Sequence, residues 1–144
     1  MNRETSLADS ASGRVILYLE DDDPTAFLFE QVVRELRSTV RLYRVLDCPS
    51  AMAFLRQERP FDGVPQPNVV VLDINVPGDS GFSVLRAVRS NPRFVRLPVI
   101  IFSSSNAASD RIEARELGAD GYLLKSTDLS AFTAAAEMAL RLAA

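Results

Sequence analysis

The chain has 144 residues, one Cys, no His and no Trp, and a formal net charge of −3. This is the length of one domain with ample apolar content for a core, and the mild negative charge gives no electrostatic case for binding nucleic acid or an anionic membrane. Without His there is no Ser–His or Cys–His nucleophile pair, no imidazole base and no His-ligated metal, so any chemistry rests on carboxylates, hydroxyls, a lysine, backbone amides or a hard metal ion.

Cys48 stands alone and cannot form an internal disulfide, which fits a reducing compartment. No apolar run reaches membrane-span length and the N-terminus lacks the apolar core of a signal peptide, so a cytoplasmic protein is expected. Residues 1–13 are small, polar and aperiodic and read as a mobile leader to a single domain over 14–144.

The residues from Val15 to Leu19 are all apolar and predict a first strand, which runs into four consecutive acids, Glu20, Asp21, Asp22 and Asp23. Asp22 or Asp23 caps a first helix with Pro24 in its first turn and Leu28, Phe29, Val32, Val33 and Leu36 as its buried face. Capping accounts for one acid or two; a bound Mg²⁺ or Ca²⁺ would offset the repulsion among the rest. The stretch from Arg41 to Val45 alternates, as a strand nearer a sheet edge does. Pro49 and Ser50 open a second helix to about residue 58, and Cys48 beside them is a small packing residue or a loop thiol.

After a Pro/Gly loop, Val69, Val70, Val71 and Leu72 run straight into Asp73 and the tight turn Asn75-Val76-Pro77-Gly78. Such a run predicts a strand buried on both faces, with Asp73 at its C-terminal end, the edge where open α/β sheets bind ligands. A third helix follows Gly81 and stops near Ser90-Asn91-Pro92. Residues 98–102 form a fourth strand that enters Ser103-Ser104-Ser105, and a fourth helix over about 109–117 is closed by Gly118. Residues 121–124 form a fifth strand ending at Lys125, and Thr127 or Asp128 caps a last helix whose Phe132, Met138 and Leu140 face either the core or a dimer partner.

Five strand–helix units predict an α/β fold with a five-stranded parallel sheet and helices on both faces. In the flavodoxin-like order 2-1-3-4-5, the ends carrying Glu20, Asp21, Asp73, Ser103 and Lys125 converge on one sheet edge. Three carboxylates there can hold a divalent cation that lets a fourth anionic group approach, so Asp73 can attack phosphorus and form an acyl phosphate. Lys125 and a Ser103 hydroxyl supply countercharge and a hydrogen-bond donor to phosphoryl oxygens, and backbone N–H groups of the turn after Asp73 and of the loop after Ser103 supply more.

Four segments carry a resemblance to the CheY-like receiver domains of two-component response regulators: residues 16–21, Asp73 to Gly81, Pro98 to Ser104, and Gly118 to Lys125. The resemblance implies a phosphoprotein of phosphorelay signal transduction in which Asp73 is the phosphoacceptor. It implies Mg²⁺ held by Glu20, Asp21, Asp73 and the backbone carbonyl of Asn75. By the resemblance Ser103 is the switch hydroxyl, Ser104 a neighbouring phosphoryl-binding residue, Lys125 the phosphoryl-binding cation, and Tyr122 the aromatic switch. With no His in the chain, the donor is a sensor histidine kinase or a histidine phosphotransfer protein. The chain would then catalyse only its own phosphorylation and dephosphorylation, and the fourth helix, fifth strand and fifth helix would report the switch, with a homodimer through that face. The phasing of the first helix selects Glu20 and Asp21 as the acidic pair over Asp21 and Asp22.

One residue departs from the family pattern. Ser126 follows Lys125 where receivers usually carry a Pro joined through a cis bond, so either a trans bond with a rebuilt loop or a strained cis bond is expected. Residues 91–98 resemble stand-alone receivers that partner phytochrome-type kinases. The apolar run before Asp73 also resembles the first motif of haloacid-dehalogenase-type phosphatases, but those need an Asp where Asn75 stands. A phosphate-independent, receiver-like scaffold is the remaining alternative.

Overall fold

The computed structural model describes residues 13–144, so the proposed leader, apart from Gly13, lies outside the described residues. The elements run β1 (Val15–Leu19), α1 (Asp23–Leu36), β2 (Arg41–Val45), α2 (Cys48–Arg56), β3 (Val69–Leu72), α3 (Phe82–Ser90), β4 (Val99–Ser103), α4 (Ala108–Glu116), β5 (Gly121–Leu124) and α5 (Leu129–Ala143). All five strands are parallel in the order β2-β1-β3-β4-β5. No helix among the described residues is long and apolar enough to cross a membrane.

Strand alternation sorts the core into two layers. Ile16, Tyr18, Val69, Val71, Ile100 and Phe102 face α1 and α5. Leu17, Leu19, Val70, Leu72, Val99 and Ile101 face α2, α3 and α4. Because β1, β3 and β4 are covered on both sides, they are apolar throughout except for Ser103 at the end of β4. Phe132 and Leu140 of α5 are buried in the first layer and the partly buried Met138 packs against it.

The helix ends follow local chemistry. Asp22, not Asp23, caps α1 by accepting from the Thr25 backbone N–H, and Asp128 caps α5 by accepting from Ser130. Asp47 caps α2, so that helix begins at Cys48, one residue before the expected opening at Pro49. The Ser50 hydroxyl and N–H that bond Asp47 hold its carboxyl below the ordinary carboxylate range. Cys48 is a packing residue: it is buried, its thiol donates to the Ser80 carbonyl at 3.4 Å, and burial pushes its pKa up. Gly118 takes a φ of 89°, the left-handed conformation expected of the residue just past a helix end.

The buried face of α1 is narrower than its apolar spacing implies. Ala26, Phe29, Val32 and Val33 are buried, whereas Leu28 and Leu36 are 42% and 43% exposed. Leu28 lies about 100° round the helix from Phe29. Leu36 is in phase but is the last residue of α1, and it overhangs the sheet to line a surface groove with Leu140 and Arg141.

Candidate functional site

The backbone ladder continues one residue past three strands and thereby anchors the functional side chains. Glu20 N–H donates to Val45 O at 3.1 Å, Asp73 N–H to Leu19 O at 3.1 Å, and Lys125 N–H to Ser103 O at 2.7 Å. Alternation then puts Glu20, Asp73 and Lys125 on the α1/α5 side, in phase with Tyr18, Val71 and Leu123. It puts Ser103 on the opposite side, in phase with Ile101, together with Tyr122.

Glu20 is 1% exposed and Asp73 5%. Lys125, the only lysine in the chain, joins them: its Nζ donates to Glu20 Oε1 at 2.5 Å and to Asp73 Oδ2 at 3.0 Å. Its ammonium also lies 5.8 Å from the centre of the Phe102 ring. The remaining carboxylate oxygens accept from backbone: Glu20 Oε2 from Asp22 N–H at 3.2 Å and Asp73 Oδ1 from Asn75 N–H at 3.1 Å. Burial raises the pKa of Glu20 despite the opposing hydrogen bond and charge of Lys125.

Oxygens of Glu20, Asp21 and Asp73 lie within 4.8 Å of one another, whereas the exposure of Leu28 and Leu36 weakens the phasing argument by which the sequence selected Glu20 and Asp21. Asp21 is exposed, and its carboxylate has no hydrogen-bond or ion-pair partner among the described residues. All-oxygen donors suit Mg²⁺, Ca²⁺ or Mn²⁺. The geometry fits such an ion, because a buried carboxylate pair already draws a cation, the Lys125 ammonium, and Asp21 adds an open oxygen beside it.

These residues open into a cleft of 460 Å³ walled by Glu20, Asp21, Asp73, Asn75, Ser104 and Lys125, with Phe132 as apolar lining. The three serines after β4 separate here. Ser104 is exposed on the cleft wall, whereas Ser103 is fully buried and its Oγ accepts from Ser105 N–H at 3.2 Å. Ser105 holds Tyr122, whose hydroxyl donates to the Ser105 carbonyl at 2.9 Å, with the Arg111 guanidinium 4.7 Å over its ring.

The Lys125–Ser126 bond is trans; among the described residues the only cis peptide is Arg59–Pro60. The loop is rebuilt as one of the two expected alternatives has it, around the Ser126 Oγ, which accepts from Asp128 N–H at 3.1 Å. A serine thus replaces a fixed proline by a local side-chain-to-backbone turn.

Two contributors escaped the sequence reading. Arg44 donates from Nε to the Glu20 carbonyl and pairs with Asp23, and Ser105 joins Ser103, Tyr122 and α4. The signal available for Arg44 was a cation on an edge strand next to the strand that ends in acids.

A parallel sheet in this order, with an acidic pair, an aspartate and a lysine at its C-terminal edge, defines a receiver domain. A family model described as the response regulator receiver domain matches residues 16–137, and the chain belongs to that family. Receiver domains of this family are signalling phosphoacceptors that bind divalent metal and are phosphorylated by histidine kinases or phosphotransfer proteins.

Among its relatives, the chain is 34% identical over 121 residues to the response regulator Rcp1 of Synechocystis sp., which covers 84% of this chain and 82% of Rcp1. It is 33% identical to the transcriptional regulatory protein GltR of Pseudomonas aeruginosa, of which it spans only 44%. Among solved structures it is similar to the phosphorylated cyanobacterial phytochrome response regulator RcpA, with a TM-score of 0.82 at 28% identity over 88% of this chain and 91% of that one. The Mn²⁺-bound form of Rcp1 gives a TM-score of 0.79 at 32% identity over 87% and 90%.

Proposed function

We propose that this chain is a stand-alone, cytoplasmic response-regulator receiver over residues 14–144 and that Asp73 is its phosphoacceptor. The observation that carries the reading is the buried Asp73 carboxylate, which shares Lys125 with Glu20 and lies with Glu20 and Asp21 inside 4.8 Å. An Asp73 oxygen attacks the phosphorus of a phosphohistidine on a partner kinase or phosphotransfer protein. The P–N bond breaks, its electron pair leaves with the imidazole nitrogen, which takes a proton, and an acyl phosphate forms.

Glu20, Asp21, Asp73 and the Asn75 carbonyl are the ligands for Mg²⁺. Bound there, the ion supplies charge neutralisation at the phosphoryl oxygens. Lys125 is already positioned at Asp73 Oδ2 as a point charge for the phosphoryl group. Ser104 supplies a donor from the cleft wall. The Ser103 hydroxyl accepts from Ser105 N–H and keeps its own proton to donate. Beyond its own phosphorylation and dephosphorylation the chain catalyses nothing. Its output face is α4–β5–α5, where Ile112 and Leu129 are exposed, and the same face serves a homodimer. The likeness to Rcp1 and RcpA favours a phytochrome-type kinase as donor.

The test is incubation with Mg²⁺ and, in turn, acetyl phosphate, phosphoramidate and a phosphorylated phosphotransfer protein, followed by intact-mass measurement and light scattering. A gain of one phosphoryl group that is lost in Asp73→Asn, with a shift toward dimer, is expected. No gain from any donor would leave the phosphate-independent scaffold, and turnover of phosphomonoesters would favour the phosphatase.

A further inference from the structure

Four adjacent carboxylates at one strand end repel one another, and the sequence alone left a bound cation as the main remedy. The structure supplies protein cations instead. Glu20 is bonded by Lys125, and Asp22 is spent on capping α1 through Thr25 N–H at 3.0 Å and Thr25 Oγ1 at 2.6 Å. Asp23 is paired with Arg44 Nη1 at 2.8 Å. Asp21, which lines the cleft beside Glu20 and Asp22, is the one of the four whose carboxylate has no hydrogen-bond or ion-pair partner among the described residues.

Arg44 belongs to β2 and stands directly opposite Tyr18 of β1 in register. Its side chain is largely buried, and its Nε donates to the Glu20 carbonyl at 2.8 Å while Nη1 reaches Asp23 Oδ1. One planar guanidinium thus grips the last residue before the acidic turn and the first residue of α1. Between those grips lie Asp21 and Asp22, and the Asp22 N–H is itself held by Glu20 Oε2. A lysine at this place carries the charge but has no fork to hold both points.

We infer that Arg44 is a positioning residue for the cation site: it fixes the Glu20–Asp23 turn in its binding geometry before any ion arrives. This rests on the proposed cation site. Arg44 bonds the Glu20 carbonyl and Asp23 and not Asp73 or Asp21, so it acts through the turn. Two opposed effects are separable. As a preorganising clamp Arg44 strengthens ion binding, because the ordering cost of the turn is already met. As a nearby positive charge it would weaken ion binding.

The experiment titrates Mn²⁺ into the metal-free protein, with calorimetry and the Mn²⁺ electron-spin signal as readouts, for wild type, Arg44→Lys, Arg44→Met and Asp23→Asn. Amide hydrogen exchange at Asp21 and Asp22 is measured without metal. Loss of the clamp is expected to weaken Mn²⁺ binding roughly tenfold in both Arg44 variants. Asp23→Asn should weaken it less, because the Glu20 grip survives. The Asp22 amide should exchange faster in the Arg44 variants at unchanged global stability. Unchanged or tighter Mn²⁺ binding in folded Arg44→Lys and Arg44→Met overturns the inference. Should Arg44→Met not fold, Arg44→Lys and Asp23→Asn decide it. Failure of the wild type itself to bind Mn²⁺ overturns the cation site, and the role of Arg44 falls with it.

Discussion

Lys125 Nζ sits 2.5 Å from Glu20 Oε1, so the one lysine of the chain neutralises a carboxylate that is almost wholly out of water. A divalent cation bound as proposed would therefore compete with the lysine for Glu20, and the metal-free protein carries a desolvated acid whose lysine countercharge is shared with Asp73.

The pH dependence of stability follows from that arrangement. Burial holds the folded-state pKa of Glu20 above its ordinary 4.5. The folded state then binds the proton more tightly than the unfolded chain, and stability falls as pH rises from about 4.5 through the folded value. Urea unfolding of metal-free protein across this window should show the negative slope, and Glu20→Gln should flatten it. Mg²⁺ should recover stability above the folded pKa in the wild type and much less in Glu20→Gln. An equal slope in both proteins would show that Glu20 is not the group responsible.

Gly81 supports Asp73, the proposed phosphoacceptor, by having no side chain. A Cβ on Gly81 would stand 2.2 Å from the Asp73 carbonyl oxygen and 3.1 Å from Ile74 Cα, both backbone atoms that cannot swing aside. Gly81 N–H also donates to Ile74 O at 3.1 Å, which closes the turn after Asp73. Gly81→Ala should cost roughly 1–3 kcal/mol in urea unfolding, the range for overpacking. It should also slow phosphorylation of Asp73 by acetyl phosphate more than the stability loss alone would, because the clash falls on the acceptor's own peptide. Wild-type rates in Gly81→Ala would mean that the turn relaxes away from the site.

The sheet edge that carries the candidate site was largely legible because each member follows an uninterrupted apolar strand, so that Asp73, Glu20 and Lys125 are marked by the point at which the apolar run stops. Gly118 was legible for a similar reason, since a helix end needs a residue tolerant of positive φ. What sequence could not show is which way neighbouring polar residues turn. Ser103, Ser104 and Ser105 are identical in type, yet one is buried, one faces the cleft and one binds other elements. Arg44 looked like an ordinary edge-strand cation until β2 was laid beside β1. Leu36 failed because helical phase says nothing about where the underlying sheet ends.

Ser105 ties the end of β4 to β5 and to the first turn of α4 by hydrogen bonds. Its N–H is held by the Ser103 hydroxyl, its carbonyl by the Tyr122 hydroxyl, and its own Oγ bonds the Asp110 carboxylate in the first turn of α4. Ala107 N–H also donates to that Oγ at 3.3 Å. A Ser103 hydroxyl drawn toward a phosphoryl group must loosen its hold on the Ser105 N–H, and the peptide that moves carries the acceptor of Tyr122 and the partner of Asp110. In the wild type, phosphorylation should shift the Ser105 amide resonance together with the Tyr122 ring resonances. Ser103→Ala should remove the Ser105 shift while Asp73 still takes up phosphate. Ser105→Ala keeps both backbone bonds but releases Asp110, so amide exchange in the first turn of α4 should quicken several-fold with the Tyr122 response retained. A Ser105 shift that persists in phosphorylated Ser103→Ala would show that the hydroxyl is not the link, and would point to Ser104 on the cleft wall instead.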